Sequence, residues 1–329
     1  MELAASMRVT ARAVVAIMAA TLVVSCSDGD SGTAITVGAG NSAQSELIAE
    51  IYAGALARTG ARTVTRTGLG QRGDYLAALD AGTVALVGDQ SGDLLDALDA
   101  ASPARLPDKL AAAATTTTPG GTADKPSDKP VPDVADAVSR ALPEGFSVSD
   151  IADGTDLRAS FVFAPAHARE FPDSLAELGG RCGELTVGVA TGSELDPLRP
   201  APDPRRDVIE PLRSVYGCDI AHYTVYPSDT ELRKALQDGH VQAGVLTAPA
   251  ALLPGGVGDL VPIADPKYAF RAQSVIPLFR KGALSARQIK KLNYVAGELT
   301  TDELTTLVRR LRDEHAPDLA RTWLDTHDL

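Results

Sequence analysis

Residues 78–84 read Ala-Leu-Asp-Ala-Gly-Thr-Val, and residues 235–241 repeat that design as Ala-Leu-Gln-Asp-Gly-His-Val. Each stretch ends a helix-like segment at a glycine and then enters an apolar, strand-like run. Glycine suits such a helix end because it adopts the left-handed conformation that closes a helix. The repeat indicates two α/β lobes built alike, one early and one in the middle of the chain. A chance coincidence in so short a unit is the alternative.

The residues around the first stretch alternate between strand and helix patterns. The predicted elements are, in chain order, a strand at 35–38, a helix at 47–57, a strand at 63–67, a helix at 74–81, a strand at 84–87 and a helix at 93–100. This alternation predicts a mostly parallel sheet with helices on both faces. At the start of the first helix, Asn41 and Gln44 form an N-terminal capping pattern, in which a side-chain amide pairs with backbone donors.

Beyond this region the chain contains an insertion and then a second α/β segment. Residues 115–133, with a threonine run and repeated Lys-Pro, predict an exposed loop. A strand at 160–164 begins the second segment, which continues to about residue 263, and the tail from 285 to 324 is predicted to be helical. Because the alternation resumes beyond the loop, residues 115–133 are interpreted as an insertion and not as a domain boundary.

The N-terminal residues have the pattern of a lipoprotein signal peptide. Two arginines precede an apolar run from Ala13 to Val24, and Ser25 stands just before Cys26. This order is typical of an exported protein that carries a lipid, such as palmitate, on that cysteine. A transmembrane anchor is the alternative, but about twelve helical residues span only roughly 18 Å of a hydrocarbon core ~30 Å thick. We expect residues 1–25 to be a signal peptide and residues 26–33 a tether, on the outer face of the cytoplasmic membrane.

Export also changes the interpretation of Cys182 and Cys218, because an oxidising compartment allows thiols to pair. Each cysteine precedes an apolar, strand-like run, at 185–189 and 220–225 respectively. Neighbouring parallel strands would bring the two strand starts together, so the sequence predicts a disulfide. Two buried free thiols are the alternative.

Composition and motifs exclude several classes of function. The net charge of -12 opposes binding to nucleic acid and to anionic lipid headgroups. Residues 68–73 match the dinucleotide fingerprint Gly-x-Gly-x-x-Gly, but they follow the second predicted strand and not the first, so no cofactor is expected. There is no nucleophile elbow, no phosphate-loop lysine motif and no paired-histidine motif, and the five histidines are dispersed. The sequence predicts no catalytic residue and no metal site, and therefore no enzyme.

The positions of several polar loops predict a ligand-binding site. In open α/β sheets the ligand lies at the carboxyl ends of the strands, where loops lead into helix N-termini. Four polar, glycine-rich loops fall at such places: 38–42, 70–72, 88–91 and 191–193. Each of these loops, taken alone, is also explained as a well-capped turn.

Short motifs near these loops occur in a characteristic order along most of the chain. They are Ile35–Gly38, Asn41, Glu50–Tyr52, Leu69–Gly70, Ala78–Leu79, Gly88–Gly92, Leu94–Leu95, Val275–Pro277, Leu292–Tyr294 and Thr300–Leu304. In this order the chain resembles the substrate-binding lipoproteins of ABC importers for osmoprotectants, the receptors for glycine betaine, choline and carnitine.

The resemblance implies an α/β, bilobal periplasmic-binding-protein-like fold of type II, with two Rossmann-like lobes joined by a hinge. Lobe I would take residues 34–158 plus 266–329, and lobe II residues 159–265. The hinge would consist of crossing segments near 158–161 and 262–274. A solute bound in the cleft between the lobes would be delivered to an ABC permease in the cytoplasmic membrane.

The resemblance also exposes a departure at the pocket. Family members that hold a quaternary ammonium use an aromatic box, because ring faces attract a cation that makes no ordinary hydrogen bonds. This chain has Gln90 where the family's loop has a tyrosine. The candidate rings are Phe163, Tyr226, Tyr268 and Phe270.

Both a betaine and another small polar solute therefore stay open as ligands. The expected ligand-binding residues are Asn41, Ser42, Gln71, Gln90, Ser91, Thr191 and Tyr226. The alternative function is that of a surface lipoprotein that keeps the bilobal scaffold, has lost transport, and acts as an interaction protein of the envelope.

Overall fold

The structure is a computed structural model, and it describes residues 33–107, 110, 133–193, 195 and 201–329. The predicted signal peptide, Cys26 with its predicted lipid and nearly all of the predicted insertion lie outside the described residues. Among the helices within these ranges, none combines the length and the apolar character that a membrane span requires.

The described residues form ten strands and ten α-helices. The chain begins with β1 (Ile35–Gly38), α1 (Ala43–Ala57), β2 (Thr63–Arg66), α2 (Arg72–Asp80), β3 (Leu86–Gln90), α3 (Ser91–Leu98), α4 (Val134–Ala141) and β4 (Phe146–Val148). It continues with β5 (Ser160–Phe163), α5 (Leu175–Leu178), β6 (Val187–Ala190), α6 (Glu210–Tyr216), β7 (Tyr223–Tyr226), α7 (Asp229–Gln237), β8 (Ala243–Leu246) and β9 (Val261–Pro262). It ends with β10 (Val275–Arg280), α8 (Ala286–Glu298), α9 (Thr301–Arg310) and α10 (Ala316–Thr326).

Two five-stranded sheets share one topology. The first has the order β2-β1-β3-β10-β4, and the second the order β7-β6-β8-β5-β9. In each sheet three helix-connected strands run parallel, and a crossing strand, β10 or β5, pairs antiparallel with the third of them. The fold is therefore α/β and bilobal, of the type II periplasmic-binding class, as predicted.

The sequence repeat marks the same structural position in both lobes. Helix α2 leads to Gly82 and then β3, and helix α7 leads to Gly239 and then β8. The two glycines have φ angles of 71° and 75°. In both turns the residue after the glycine donates its backbone N–H to a carbonyl five residues back, from Thr83 to Ala78 and from His240 to Ala235. The repeat reflects the shared architecture of the lobes and is not a coincidence.

The predicted cap of the first helix is wrong by one residue. Helix α1 starts at Ala43, and the hydroxyl of Ser42 accepts the hydrogen bond from the backbone N–H of Ser45. Asn41 instead accepts a hydrogen bond from the backbone N–H of Gly70, at 3.0 Å. Serine and asparagine cap helices about equally well. Ser42 is the cap because the side chain of Asn41 is engaged by Gly70, a residue distant in sequence. Gln44 is left with no capping role.

The predicted disulfide between Cys182 and Cys218 is present. Cys182 precedes β6 and Cys218 precedes β7, and these strands are parallel neighbours with Val187 opposite Tyr223. Both cysteines are fully buried in the core of the second lobe. The bond therefore fastens the starts of two adjacent strands, as the sequence predicts.

Close backbone packing at Gly179 brings the two cysteine segments together. A Cβ on Gly179 would lie 2.1 Å from the backbone oxygen of Tyr216, whereas a Cβ on Gly180 would meet nothing within 4 Å. We expect Gly179→Ala to lower the free energy of unfolding by about 1–3 kcal/mol, as for other overpacked sites. Gly180→Ala is the matched control and should change it by less than about 1 kcal/mol. Urea denaturation compares the two, and equal effects would contradict this packing.

The C-terminal helix α10 packs on α1 and closes the first lobe. Its side chains Leu319, Trp323 and Leu324 join the core that also contains Leu47 and Ile51. At the end of the chain, the guanidinium of Arg58 donates hydrogen bonds to the backbone oxygen of Leu329 and to Asp325. These contacts hold the C-terminus against the helix that begins the candidate site.

His327 makes this C-terminal packing dependent on pH. Its Nε2 lies 2.7 Å from a carboxylate oxygen of Glu303, and its Nδ1 lies 2.8 Å from the backbone oxygen of Trp323. Burial lowers the pKa of His327, but these two acceptors outweigh burial, so the pKa is raised above its ordinary value. A raised pKa in the folded state gives stability below about pH 6.5, and this stability is lost as the pH rises through the folded-state pKa.

We therefore expect His327→Gln to lower stability in acid and to change little in alkali. The difference should stay below about 1 kcal/mol, as for a partly exposed ion pair. Thermal unfolding of both proteins across a series of pH values measures it. A difference that grows with rising pH would contradict the assignment.

Candidate functional site

A small cavity lies where the carboxyl ends of the parallel strands of the two lobes meet. In this structure it leaves about 20 Å³ for a water-sized molecule. Its lining residues are Ser42, Gln44, Gln90, Leu157, Ser193, Leu195, Ala248 and Leu252. The first three follow or end β1 and β3 of the first lobe, and the last four follow β6 and β8 of the second. Leu157 comes from the segment that crosses between the lobes. Both lobes therefore contribute to one site.

The described part of the cavity wall is neutral and contains no aromatic ring. Four of the lining residues carry hydroxyl or amide groups, and the other four are aliphatic. None of the described lining residues is charged or aromatic. The arrangement suits a small solute with both polar and apolar surface.

Gln44 places a buried amide group in the lining of the cavity. It is the second residue of α1 and is 4% exposed. Its Oε1 is buried and has no hydrogen-bond partner in the part of the chain that the structure describes. A buried acceptor without a donor costs about 1–3 kcal/mol, so a ligand donor at this position would gain the missing bond.

Two of the seven predicted ligand-binding residues, Ser42 and Gln90, line the cavity. Asn41 is exposed and joins the first loop to the second through Gly70. Gln71 is exposed and caps α2 in a reciprocal arrangement with Asp74. The loop at 70–72 therefore supports the site from outside and contributes no lining residue.

The other three predicted residues form internal contacts that shape the loops. The buried Ser91 accepts a hydrogen bond from the backbone N–H of Ser274 at 3.1 Å. Thr191 donates from both its backbone N–H and its hydroxyl to the backbone oxygen of Tyr226. The ring of Tyr226 lies so close to Gly188 that a Cβ there would be 2.9 Å from it. None of the three lines the cavity.

The remaining candidate rings are engaged elsewhere. Phe163 is fully buried and stacks on Phe171, with ring centroids 5.1 Å apart. Phe270 is buried in the core of the second lobe. The ring of Tyr268 faces the guanidinium of Arg158, whose carbon lies 3.7 Å from the ring centroid. The four candidate rings therefore form no box around this cavity.

A buried charge network fixes the end of β3 next to Gln90. Asp89 is 5% exposed and accepts hydrogen bonds from Nε and Nη2 of Arg72 at 3.1 and 2.8 Å. Burial and then Asp89 raise the pKa of Tyr75 well above its ordinary value. Burial lowers the pKa of Arg72, but Asp89 and Asp93 outweigh it, and the pKa is raised. Arg72 therefore stays charged and is neutralised inside the protein.

A second network, which we call the hinge cluster (Arg158, Asp265, Tyr216 and Tyr268), joins the two crossing segments. Arg158 donates to both a carboxylate oxygen and the backbone oxygen of Asp265, each at 3.2 Å. The carboxylate of Asp265 also accepts from the hydroxyl of Tyr216 at 2.5 Å and from two backbone N–H groups. Burial lowers the pKa of Arg158, but Asp156 and Asp265 outweigh it, so the pKa is raised.

Residues 33–148 and 199–326 match the model of the family described as the substrate binding domain of ABC-type glycine betaine transport systems. The chain belongs to this family. No curated protein sequence was found that matches it.

Two solved structures share the fold of this binding-domain family member. A glycine betaine/carnitine/choline ABC transporter protein is 16% identical with a TM-score of 0.64, over 89% of this chain and 98% of that one. Apo YehZ from Escherichia coli is 15% identical with a TM-score of 0.61, over 90% of this chain and 99% of that one. Both likenesses support the bilobal architecture of this binding domain.

The sequence interpretation missed one loop that lines the site of this binding domain. Ala248 and Leu252 follow β8, which is the structural equivalent of β3. Because residues 235–241 repeat residues 78–84, the loop after β8 corresponds to the loop at 88–91, which was predicted. The repeat therefore contained the signal for this loop. Gln44 was missed because it fits a capping pattern.

Proposed function

We propose that this chain is the solute receptor of an ABC importer, which binds a small polar solute between its lobes and delivers it to a membrane permease. The observation that carries the proposal is a cavity that strand-end loops of both lobes line together. A ligand at such a place contacts both lobes at once, so its binding energy can hold them closed. The family of the chain supports the same function.

We also propose the lobe division and the anchor that the sequence predicts. Lobe I comprises residues 34–158 plus 266–329, and lobe II residues 159–265. The distribution of strands between the two sheets supports this division. The export pattern before Cys26 supports a lipid anchor on the outer face of the cytoplasmic membrane.

Within the cavity, the direct ligand contacts that we propose come from four polar side chains. They are Ser42, Gln44, Gln90 and Ser193. Asn41, Gln71, Ser91, Thr191 and Tyr226 would serve the site by holding its loops. Under this assignment the aliphatic residues Leu157, Leu195 and Leu252 cover the apolar part of the solute.

Thermal unfolding with a panel of small solutes tests the proposal. A ligand at a thousand times its dissociation constant should add about 4 kcal/mol to the free energy of unfolding. Ala248→Phe should abolish this gain, because Ala248 lines the cavity and is 5% exposed, so a ring there fills the space. Ala57→Phe, on the exposed end of α1, is the control and should keep the gain.

The panel should include betaines, choline, carnitine, ectoines, amino acids, polyols and sugars, in buffer free of glycerol. A flat response to every compound would overturn the receptor assignment and favour an envelope protein that has lost transport. Equal stabilisation of wild type and Ala248→Phe would show that the solute binds outside the cavity.

A further inference from the structure

The longest stretch of this chain without an aspartate or glutamate runs from residue 266 to residue 297. It contains seven lysines and arginines, although the chain as a whole has a net charge of -12. Five of the seven stand close together, at the end of β10 and in the first two turns of α8. We call these five residues the basic patch: Arg280, Lys281, Arg287, Lys290 and Lys291.

The basic patch presents its charges to solvent. Four of its side chains are exposed, and that of Lys291 is half-buried. No member of the patch forms an ion pair with a residue in the described ranges. Asp80 and Glu144 stand beside the turns that contact Arg280 and Lys281. The five basic side chains outnumber these two acidic ones, so an excess of positive charge remains.

An exposed aromatic ring extends the patch along α8. Arg287, Lys290 and Tyr294 are spaced three and four residues apart, so they share one face of the helix. Tyr294 is 51% exposed, and Nζ of Lys290 lies 5.6 Å from its ring centroid. The other face of α8, with Leu292 and Val295, is buried. Tyrosine beside cationic side chains is typical of surfaces that meet lipid headgroups.

The basic patch lies at the edge of the first sheet where the described chain begins. The backbone N–H of Arg280 donates to Ala85 at 3.1 Å, and that of Ala85 donates to Thr36 at 2.8 Å. The end of β10 is therefore level with the start of β1, two strand spacings or about 10 Å away. The carboxyl ends of β1 and β3 lie at the opposite edge and lead to the cavity. A partner bound at the patch leaves the cavity uncovered.

This position places the patch beside the proposed lipid anchor. From Cys26 to the start of the described chain, the tether extends over at most about 25 Å. A lipid on Cys26 therefore keeps the patch within reach of the headgroups. The net charge of -12 opposes such contact for the chain as a whole. Because charges in about 0.1 M salt interact over only ~10 Å, the local excess of positive charge decides at this surface.

We propose that the basic patch docks the first lobe on anionic lipid headgroups of the membrane that holds the anchor. The proposal goes beyond the receptor function, and it rests on the proposed anchor for the membrane that the patch meets. Each basic residue near an anionic surface strengthens binding roughly fivefold. Five such residues together make the patch a second attachment, of the kind that accompanies single lipid chains.

The test is co-sedimentation with vesicles of phosphatidylcholine, either alone or mixed with an equal amount of phosphatidylglycerol. The protein starts at residue 27, which removes the anchor and keeps every described strand and helix. The patch variant is Arg287→Glu, Lys290→Glu. The matched control is Arg169→Glu, Arg213→Glu, which makes the same change in net charge at exposed positions of the second lobe.

We expect wild type and the control to bind the mixed vesicles equally, and the patch variant to bind them at least about tenfold more weakly. Binding should be absent with phosphatidylcholine alone and should be lost in high salt. Urea denaturation with one midpoint for wild type and the patch variant shows that the variant is folded. A second variant, Lys281→Gln, Lys290→Gln, adds no acidic group and should weaken binding by a smaller factor.

Three results would overturn the proposal. They are no binding of wild type to the mixed vesicles, equal binding of wild type and the patch variant, and equal loss of binding in the patch variant and the control. Self-association of wild type that is lost in high salt and in the patch variant, without vesicle binding, would assign the patch to a second copy of the chain. These results leave the receptor function standing, because solute binding is measured separately by thermal unfolding.

Discussion

Removal of the Cys182–Cys218 disulfide is expected to lower the free energy of unfolding by about 4 kcal/mol. The bond closes a loop with a sequence separation of 36, and the chain-entropy cost of such a loop in the unfolded state has this size. Both sulfurs lie in the fully buried core of the second lobe. The double variant Cys182→Ala, Cys218→Ala therefore loses the crosslink while keeping small apolar side chains there.

Urea denaturation with and without reductant measures this effect. Wild type should lose stability when it is reduced, and the double variant should be insensitive to reductant. If oxidised and reduced wild type had the same midpoint, the bond would contribute nothing to the stability of the lobe. A reductant effect that persists in the double variant would point to a cause other than this bond.

Loss of the Asp265 carboxylate is expected to cost about 3–5 kcal/mol, the range measured when one partner of a buried ion pair is removed. Asp265 is the acceptor for Arg158, for the hydroxyl of Tyr216 and for the backbone N–H groups of Ala269 and Phe270. Asp265→Ala leaves all of these donors short of a partner at the place where the chain returns to the first lobe. Arg158 keeps its hydrogen bond to the backbone oxygen of residue 265 and its pairing with the more exposed Asp156.

The matched control is Asp259→Ala, at an exposed position of the same lobe. Asp265→Asn should lie between the control and Asp265→Ala, because its amide oxygen still accepts some of these bonds. Urea denaturation ranks the three variants. If Asp265→Ala were no less stable than the control, the hinge cluster would not hold the crossing segments together.

The architecture was predictable where local chemistry and topology agree. Gly82 and Gly239 occupy equivalent turns in two equivalent sheets, so a seven-residue repeat was enough to indicate two similar lobes. Cys182 and Cys218 were paired correctly because each precedes a strand and the two strands are neighbours. Both inferences need only the order of elements along the chain.

The site was less predictable because a polar residue in one of these loops can either contact a ligand or hold the loop in place. Which of the two it does depends on tertiary contacts. Ser91 and Thr191 stand at loops that do approach the cleft, but their hydroxyls are used by Ser274 and Tyr226. The position of a ring such as Tyr268 depends on how the second crossing segment meets Arg158. Gln44 was missed because Asn41 and Ser42 are equally good caps in the sequence, and with Asn41 as the cap Gln44 is explained as its capping partner. The structure shows instead that Ser42 is the cap and that Gln44 lines the cavity.

The central claim is that one solute binds between the two lobes. Amide hydrogen exchange of the purified protein tests it most directly, with and without a pooled mixture of betaines, choline, carnitine, ectoines, amino acids, polyols and sugars at millimolar concentration. We expect slower exchange at the loops of both lobes together, at residues 38–44 and 88–91 in the first and 191–195 and 247–252 in the second. Unchanged exchange, or protection confined to one lobe, would contradict a ligand site formed by the two lobes.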